Sequence, residues 1–277
     1  MKMKIDVPFL SKDKLPVLQG MKMEMVYRGG LRTGYTVVVN VRAGRSTQDV
    51  LPYCLRSILK VFEDNPLEIY VMDDKDDPMD GRSVRWTKKL SPKVSYELVG
   101  FPNDDGCAAL IAKLSEHAAG RDVLNLLIEP QTLLFHKAVF DEVYNAPNSA
   151  FTAAMTGGKH FSGEVFAFLT DCLDEALRLT EFYRIPIGRE DEDFMLGLIL
   201  SAASLPRLSA MIPMCDSFNP DGGGSVWDYR ITREMYPKAA DVYYNTFYFV
   251  SLRAAGMDDR LMLQAAQELL KLVEGRK

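Results

Sequence analysis

The sequence predicts an α/β protein: a mostly parallel sheet flanked by helices, followed by a helical C-terminal extension. Three observations carry this. Thr36-Val37-Val38-Val39-Asn40-Val41 is an almost unbroken apolar, β-branched run, which suits a central strand covered on both faces. Short runs of that type then alternate with segments of helical spacing, the pattern of successive βαβ units. The chain has 277 residues, 47% hydrophobic and 26% charged, which is ordinary globular composition and enough length for one large core.

Residues 1–34 read as an N-terminal arm. Lys22–Arg28 alternates like an edge strand and Gly29, Gly30 and Gly34 punctuate its exit; an arm of this kind packs on its own domain or on a second subunit, which would make a homodimer. Residues 35–214 form the main domain. The first strand runs into Arg42-Ala43-Gly44-Arg45, and Ser46 or Thr47 caps a helix carrying Val50, Leu51, Leu55, Ile58, Leu59 and Phe62 at helical spacing. Asn65-Pro66 stops that helix, and the strand Glu68–Met72 ends in Asp73-Asp74-Lys75-Asp76-Asp77. A helix over Ser83–Leu90, a strand over Val94–Val99 and a helix from Asp104 or Asp105 to Ala119 follow, with His117 on the helix surface. The strand Val123–Ile128 ends in Glu129-Pro130-Gln131-Thr132. Then come a helix near Lys137–Tyr144, strands near Ala150–Met155 and Glu164–Phe168, a helix around Asp171–Leu179, an acidic helix start at Glu190–Asp193 and a strand over Arg207–Pro213. Residues 215–277 are a glycine-rich loop, an aromatic helix over Val242–Ala255 whose rings pack into a core or a subunit contact, and an amphipathic helix over Leu261–Val273.

Several function classes are excluded or disfavoured. A net charge of −5 offers no basic stripe for a nucleic-acid polymer, while leaving single nucleotides open. Neither GxGxxG nor GxxxxGK[ST] occurs, against Rossmann-type and P-loop binding, and the absence of GxSxG gives a serine triad no support. The four cysteines stand far apart, the pattern of reduced, intracellular thiols. No apolar run of signal-peptide length precedes Lys12, and the 13-residue uncharged run from Phe194 to Pro206 is too short to span a bilayer. The expectation is a cytoplasmic protein with no transmembrane segment.

Polar clusters at 40–45, 73–77 and 129–132 fall where a doubly wound sheet gathers its strand ends, the place where ligands bind. Asp73 or Asp74 can accept from a base N–H, Asn40 and Arg42 can meet a ribose or base edge, and Arg42 and Arg45 can offset phosphate charge. Any one cluster is equally well a polar turn. The fourth cluster, Glu190-Asp191-Glu192-Asp193, precedes an apolar segment; it is either a charge-compensated helix start or a source of a catalytic carboxylate.

Taken in order, these features resemble glycosyltransferase family 2 and its relatives with the GT-A fold. The strand Thr36–Val41, the helix with Leu51-Pro52-Tyr53-Cys54-Leu55-Arg56-Ser57-Ile58, and Ile69–Asp74 resemble that family's opening. Asp122–Ile128 is similar to the segment before its metal-binding DxD, Gly157-Gly158 with Phe161–Phe168 to its acceptor-side glycine strand, and Glu190–Phe194 to its ED..L motif. The likeness covers about residues 35–214. It implies a nucleoside pocket lined by Asn40, Arg42, Asp73 and Asp74, and an acceptor side holding Gly158, Glu190 and Asp193. It also implies Asp191 as the base that deprotonates an acceptor hydroxyl attacking a UDP- or GDP-linked sugar, with inversion. The acceptor is a glycan or another hydroxyl compound.

The departure from the pattern is Glu129-Pro130-Gln131 in place of DxD. Glu129 can bind a hard cation, but Gln131 offers only a neutral amide oxygen, so a Mn²⁺ or Mg²⁺ site at the diphosphate is weakened. Three readings follow: a weakened metal site, metal-free catalysis with Arg or Lys as counter-charge, or a catalytically silent GT-A-like module that binds a nucleotide, a glycan or a protein.

Overall fold

A strand that is apolar on both faces lies at the heart of the described fold, and the rest of the sheet grows outward from it. The computed structural model describes residues 34–101, 106–119, 121–145, 149–154, 161–183, 205–209, 238–246, 248–252 and 259–275. Strands β1 (Val37–Ala43), β2 (Leu67–Asp74), β3 (Val94–Val99), β4 (Leu124–Ile128), β6 (Ser149–Ala154), β7 (Phe161–Leu169) and β8 (Leu205–Ser209) form one sheet in the order β3-β2-β1-β4-β7-β6-β8. All neighbours are parallel except at β7, which runs against both β4 and β6. The sheet is therefore mostly parallel, as its apolar strands predict.

Helices α1 (Leu51–Val61) and α2 (Gly81–Leu90) make the β1–β2 and β2–β3 crossovers, and α3 (Gly106–Ala118) carries the chain from β3 to β4. Right-handed crossovers put α1 and α2 on one face. The connection through α3 travels the opposite way along the sheet and so covers the other face. Sequence explains each start and stop. Asp80 caps α2 by accepting from Ser83 N–H at 2.7 Å, and a proline stands in the first turn of α1, where its missing N–H costs nothing. Alternate β1 residues serve opposite faces: Val37, Val39 and Val41 join the main core with Leu55 and Ile58, while Val38 packs with Ala118 and Val123.

The C-terminal part differs from the expectation in one respect. The aromatic helix is short, α6 (Ala239–Thr246), and Phe249–Ser251 is a strand, β9, antiparallel to β5 (Thr132–Leu134). Helical and strand readings of a short apolar run cannot be separated by periodicity, and the pairing partner lies far away in sequence. The long helix α7 (Asp259–Gly275) covers this two-stranded sheet, burying Leu133, Phe135, Tyr244, Val250, Ala266 and Leu269 together. Among the described aromatics of this segment, Tyr244 and Phe249 are core and Tyr248 packs half-buried against it. Helices α4 (Ala138–Asn145) and α5 (Thr170–Tyr183) complete the described helices. Phe140 of α4 lies between Phe62 and Phe249, with ring centroids 5.6 and 6.4 Å away. None of the described helices is long and apolar enough to cross a membrane.

Ser57 ties α1 to the two-stranded sheet. Its buried hydroxyl donates to the Cys54 carbonyl at 2.8 Å and accepts from Leu134 N–H of β5 at 3.1 Å. Replacing it orphans a buried N–H, so Ser57→Ala is expected to lower unfolding stability by about 1–3 kcal/mol. Urea titration checks this through a lower midpoint at unchanged slope.

Candidate functional site

The sheet order fixes where a crevice must open. The chain builds β1, β2 and β3 outward in one direction, then returns to place β4 on the other side of β1. The chain leaves β1 into α1 and leaves β4 into β5, which packs on α1 through Ser57 and Leu134, and ligands of open α/β sheets bind at such a switch point, beyond the carboxyl ends. Register pairs Val41 with Ile128, so the next residues along, Arg42 and Glu129, stand side by side at the crevice. They form an ion pair: Arg42 Nη2 and Nε donate to the same Glu129 oxygen, Oε1, at 2.7 and 3.2 Å. Their side chains are 31% and 23% exposed, so the pair is reachable from solvent. Gln131 follows in the turn before β5, its carbonyl accepting from Leu252 N–H at 2.9 Å.

The acids after β2 are engaged within the protein. Asp73 is fully buried; Oδ1 accepts from Met79 N–H at 3.0 Å and Oδ2 from the Tyr96 hydroxyl at 2.6 Å. Burial and this bond both push the Tyr96 phenol up, keeping it a donor. Asp74, half-buried at the strand end, accepts from Asp76 N–H at 2.9 Å. Asp77 ties the segment to the loop after β1: its carbonyl accepts from Arg45 N–H at 2.7 Å and its carboxylate from Ser46 N–H at 3.1 Å. Gly44 permits this approach, because a Cβ there would lie 2.9 Å from the Asp77 carbonyl oxygen. Beside this junction, between the first turns of α1 and α2, lies a groove of about 350 Å³ lined by Gln48, Asp49, Pro52, Asp80, Arg82 and Trp86.

Asn40 sits two residues before Arg42 on the same face but is wholly buried beneath α3. It belongs to a polar network centred on His117, which the structure buries rather than leaving on the helix surface. The His117 ring stacks on Tyr70 at 3.7 Å; Nδ1 lies 2.6 Å from Asn40 Oδ1 and Nε2 3.2 Å from Glu97 Oε1. Lys113 pairs with Glu97 at 2.9 Å, and Arg121 pairs with Glu68 and donates to the His117 carbonyl. A neutral ring donates from one nitrogen only. With Nε2–H on Glu97, Nδ1 needs a donor, and a half-turn of the Asn40 amide supplies Nδ2, the atom that otherwise has no partner. Sequence carried a signal for this burial: Leu110, Leu114 and His117 share one helical stripe.

Of the residues read from sequence, the structure therefore brings Arg42, Glu129, Gln131, Asp73 and Asp74 to the strand ends, with Arg42 and Glu129 in direct contact. Gly158, Glu190, Asp191 and Asp193 lie outside the described residues. Cys54 lies below the crevice, its Sγ 4.0 Å from the Glu129 carbonyl; burial raises its pKa strongly and keeps it a thiol. Burial also pushes Cys172 up to about 11, so neither offers a thiolate nucleophile. Among the described residues no three His, Cys, Asp or Glu side chains gather as a metal would require.

No protein-family model matches the chain, and no curated protein does. Solved structures do. The bifunctional glycosyltransferase WbbM superposes with a TM-score of 0.51 at 11% identity, over 90% of this chain and 53% of that one. The galactosyltransferase LgtC, solved with donor and acceptor sugar analogues, matches at 0.48 and 12% identity over 86% and 95%. GlyE of Streptococcus pneumoniae TIGR4 matches at 0.43 and 12% over 87% and 64%. The WbbM likeness carries the fold, which is GT-A-like; this chain spans about half of that protein.

The His117 network sets a pH dependence. Burial holds the ring below its ordinary value of 6.5, Lys113 adds to the effect, and Glu97 and Glu116 oppose it. The unfolded chain then binds the extra proton first, so this stability is complete above pH 6.5 and is lost as pH falls from there towards the folded value. The urea midpoint is expected to drop between pH 7.5 and 5.5, and to drop less in His117→Gln; equal drops would remove His117 from the account.

Proposed function

We propose that the protein is a glycosyltransferase that moves a sugar from a UDP- or GDP-linked donor to an acceptor hydroxyl, on a glycan or a similar compound. The observation that carries this reading is the Arg42–Glu129 pair, exposed at the switch-point crevice of a GT-A-like sheet. A nucleotide sugar laid there would place its diphosphate near a fixed guanidinium, a group suited to phosphate oxygens. Asp73 acts by holding the Met79 segment and Tyr96 in place, and Asn40 by holding β1 to α3. Asp74, half-buried at the end of β2, is the acid nearest to hand for a base N–H.

In the proposed reaction Asp191 takes the proton of the acceptor hydroxyl while that oxygen attacks the anomeric carbon. The bond from that carbon to the diphosphate oxygen breaks, its electron pair leaves with the nucleoside diphosphate, and the centre inverts. Gly158, Glu190 and Asp193 form the acceptor side in this scheme. The order of motifs from Asp73 through Glu129 to Glu190–Asp193 supports it, as does the cation at the strand ends.

A second reading, a silent GT-A-like module that binds a nucleotide, glycan or protein without transfer, is favoured by one observation: Arg42 already holds Glu129, the acid expected to serve the donor.

Two measurements separate them. A panel of UDP- and GDP-sugars is expected to raise the melting temperature, and no shift across the panel would sink the transferase reading. Asp191→Asn is expected to reduce transfer or donor hydrolysis by at least about 100-fold while leaving the donor-induced melting shift nearly intact; unchanged turnover would remove Asp191 from the base role.

A further inference from the structure

The fold family places a divalent cation at the end of β4, and the residues present there do not fit one. A cation held by Glu129 would sit beside a guanidinium that already takes Oε1 at 2.7 Å, and two positive charges on one carboxylate repel. Gln131 adds no charge. Of the other described acids nearby, Asp73 holds Met79 and Tyr96, Asp74 holds the Asp76 N–H, Asp77 holds the loop after β1, and Asp80 caps α2.

The same geometry says what takes the cation's place. A phosphate over the strand ends needs a counter-charge or N–H donors. The backbone N–H groups of Arg45 and Ser46, the first beyond β1 and Gly44, already donate to Asp77. Arg42 stands in the crevice itself, partly exposed, with its guanidinium plane fixed by two hydrogen bonds to one oxygen. Resting on the nucleotide-sugar reading, we propose that Arg42 is the diphosphate ligand of this protein, that Glu129 is its positioning residue, and that donor binding requires no divalent metal. Arginine suits this role because it stays charged at every working pH and presents forked N–H groups to phosphate. Glu129 then has an opposite sign of effect from a metal ligand. It orients Arg42 at the crevice, yet its own charge opposes the incoming diphosphate, so neutralising it strengthens binding.

Isothermal titration of the full chain with UDP and with GDP tests this, in EDTA and again in Mn²⁺. The wild-type affinity is expected to agree between the two buffers within about twofold. Glu129→Gln, which keeps the shape and removes the competing charge, is expected to bind about two- to fivefold more tightly. Arg42→Gln is expected to bind at least about tenfold more weakly, and Arg42→Lys, which keeps charge but not the fork, to fall between. Binding that appears only with Mn²⁺ and disappears in Glu129→Gln would overturn the metal-free assignment while leaving the donor reading standing. Absence of nucleotide binding in both buffers, with the protein folded by circular dichroism, would overturn both. If Arg42→Gln does not fold, the two-buffer comparison and the sign of the Glu129→Gln change decide the matter alone.

Discussion

Strand β1 is hydrogen-bonded to β2 on one edge and β4 on the other, and it is covered on both faces. That double burial constrains everything around it. A strand with no solvent face must be apolar, and this one is, except at Asn40 and at its carboxyl end. Because β4 returns to the free edge of β1 instead of extending the sheet beyond β3, the residues at the carboxyl ends of the two strands stand side by side at the switch point. The Arg42–Glu129 pair is a direct consequence of that register.

A second consequence is how the acidic segment after β2 is used. Four aspartates in five residues would repel one another in a solvated turn. Here Asp73, Asp74 and Asp77 each accept a backbone N–H, and Asp77 ties its turn to the loop of the neighbouring strand. The negative charge is spent on folding the rim of the crevice, and such fixed hydrogen bonds hold a site in shape before a ligand arrives. The buried Asn40 and His117 pair does the same from beneath, joining β1 to α3 through side chains.

Local pattern was enough for most of the sheet. Val37–Val41, Ile69–Met72 and Leu124–Ile128 are strands because continuous apolar runs between turn signals leave little else. The grouping of Arg42, Asp73 and Glu129 at one edge was legible for the same reason, since strand ends in a doubly wound sheet converge. What was not legible depends on partners remote in sequence. The strand Phe249–Ser251 reads as helix until Thr132–Leu134 is placed beside it. Nothing local distinguishes Asp73, which is buried under Tyr96, from Asp74, which is not. That Glu129 is occupied by Arg42 follows from the β1–β4 register alone, and no motif encodes it.

The closing contacts of the fold bear on how it is made. Arg56 of α1 forms a two-pronged pair with Glu274 near the end of α7, 218 positions away. Strand β5, meanwhile, stays without its partner until β9 has been synthesised. Such distant pairings are slow to form because the closing loop is long. A nascent chain leaving the ribosome can assemble β1 to β4 early, yet it exposes Leu133, Phe135 and the outer side of α1 until α7 emerges. Helix α7 thus acts as a seal on a hydrophobic seam that stays open until that helix has been synthesised. Unfolded edges of this kind are where aggregation begins, so the yield of folded protein depends on α7.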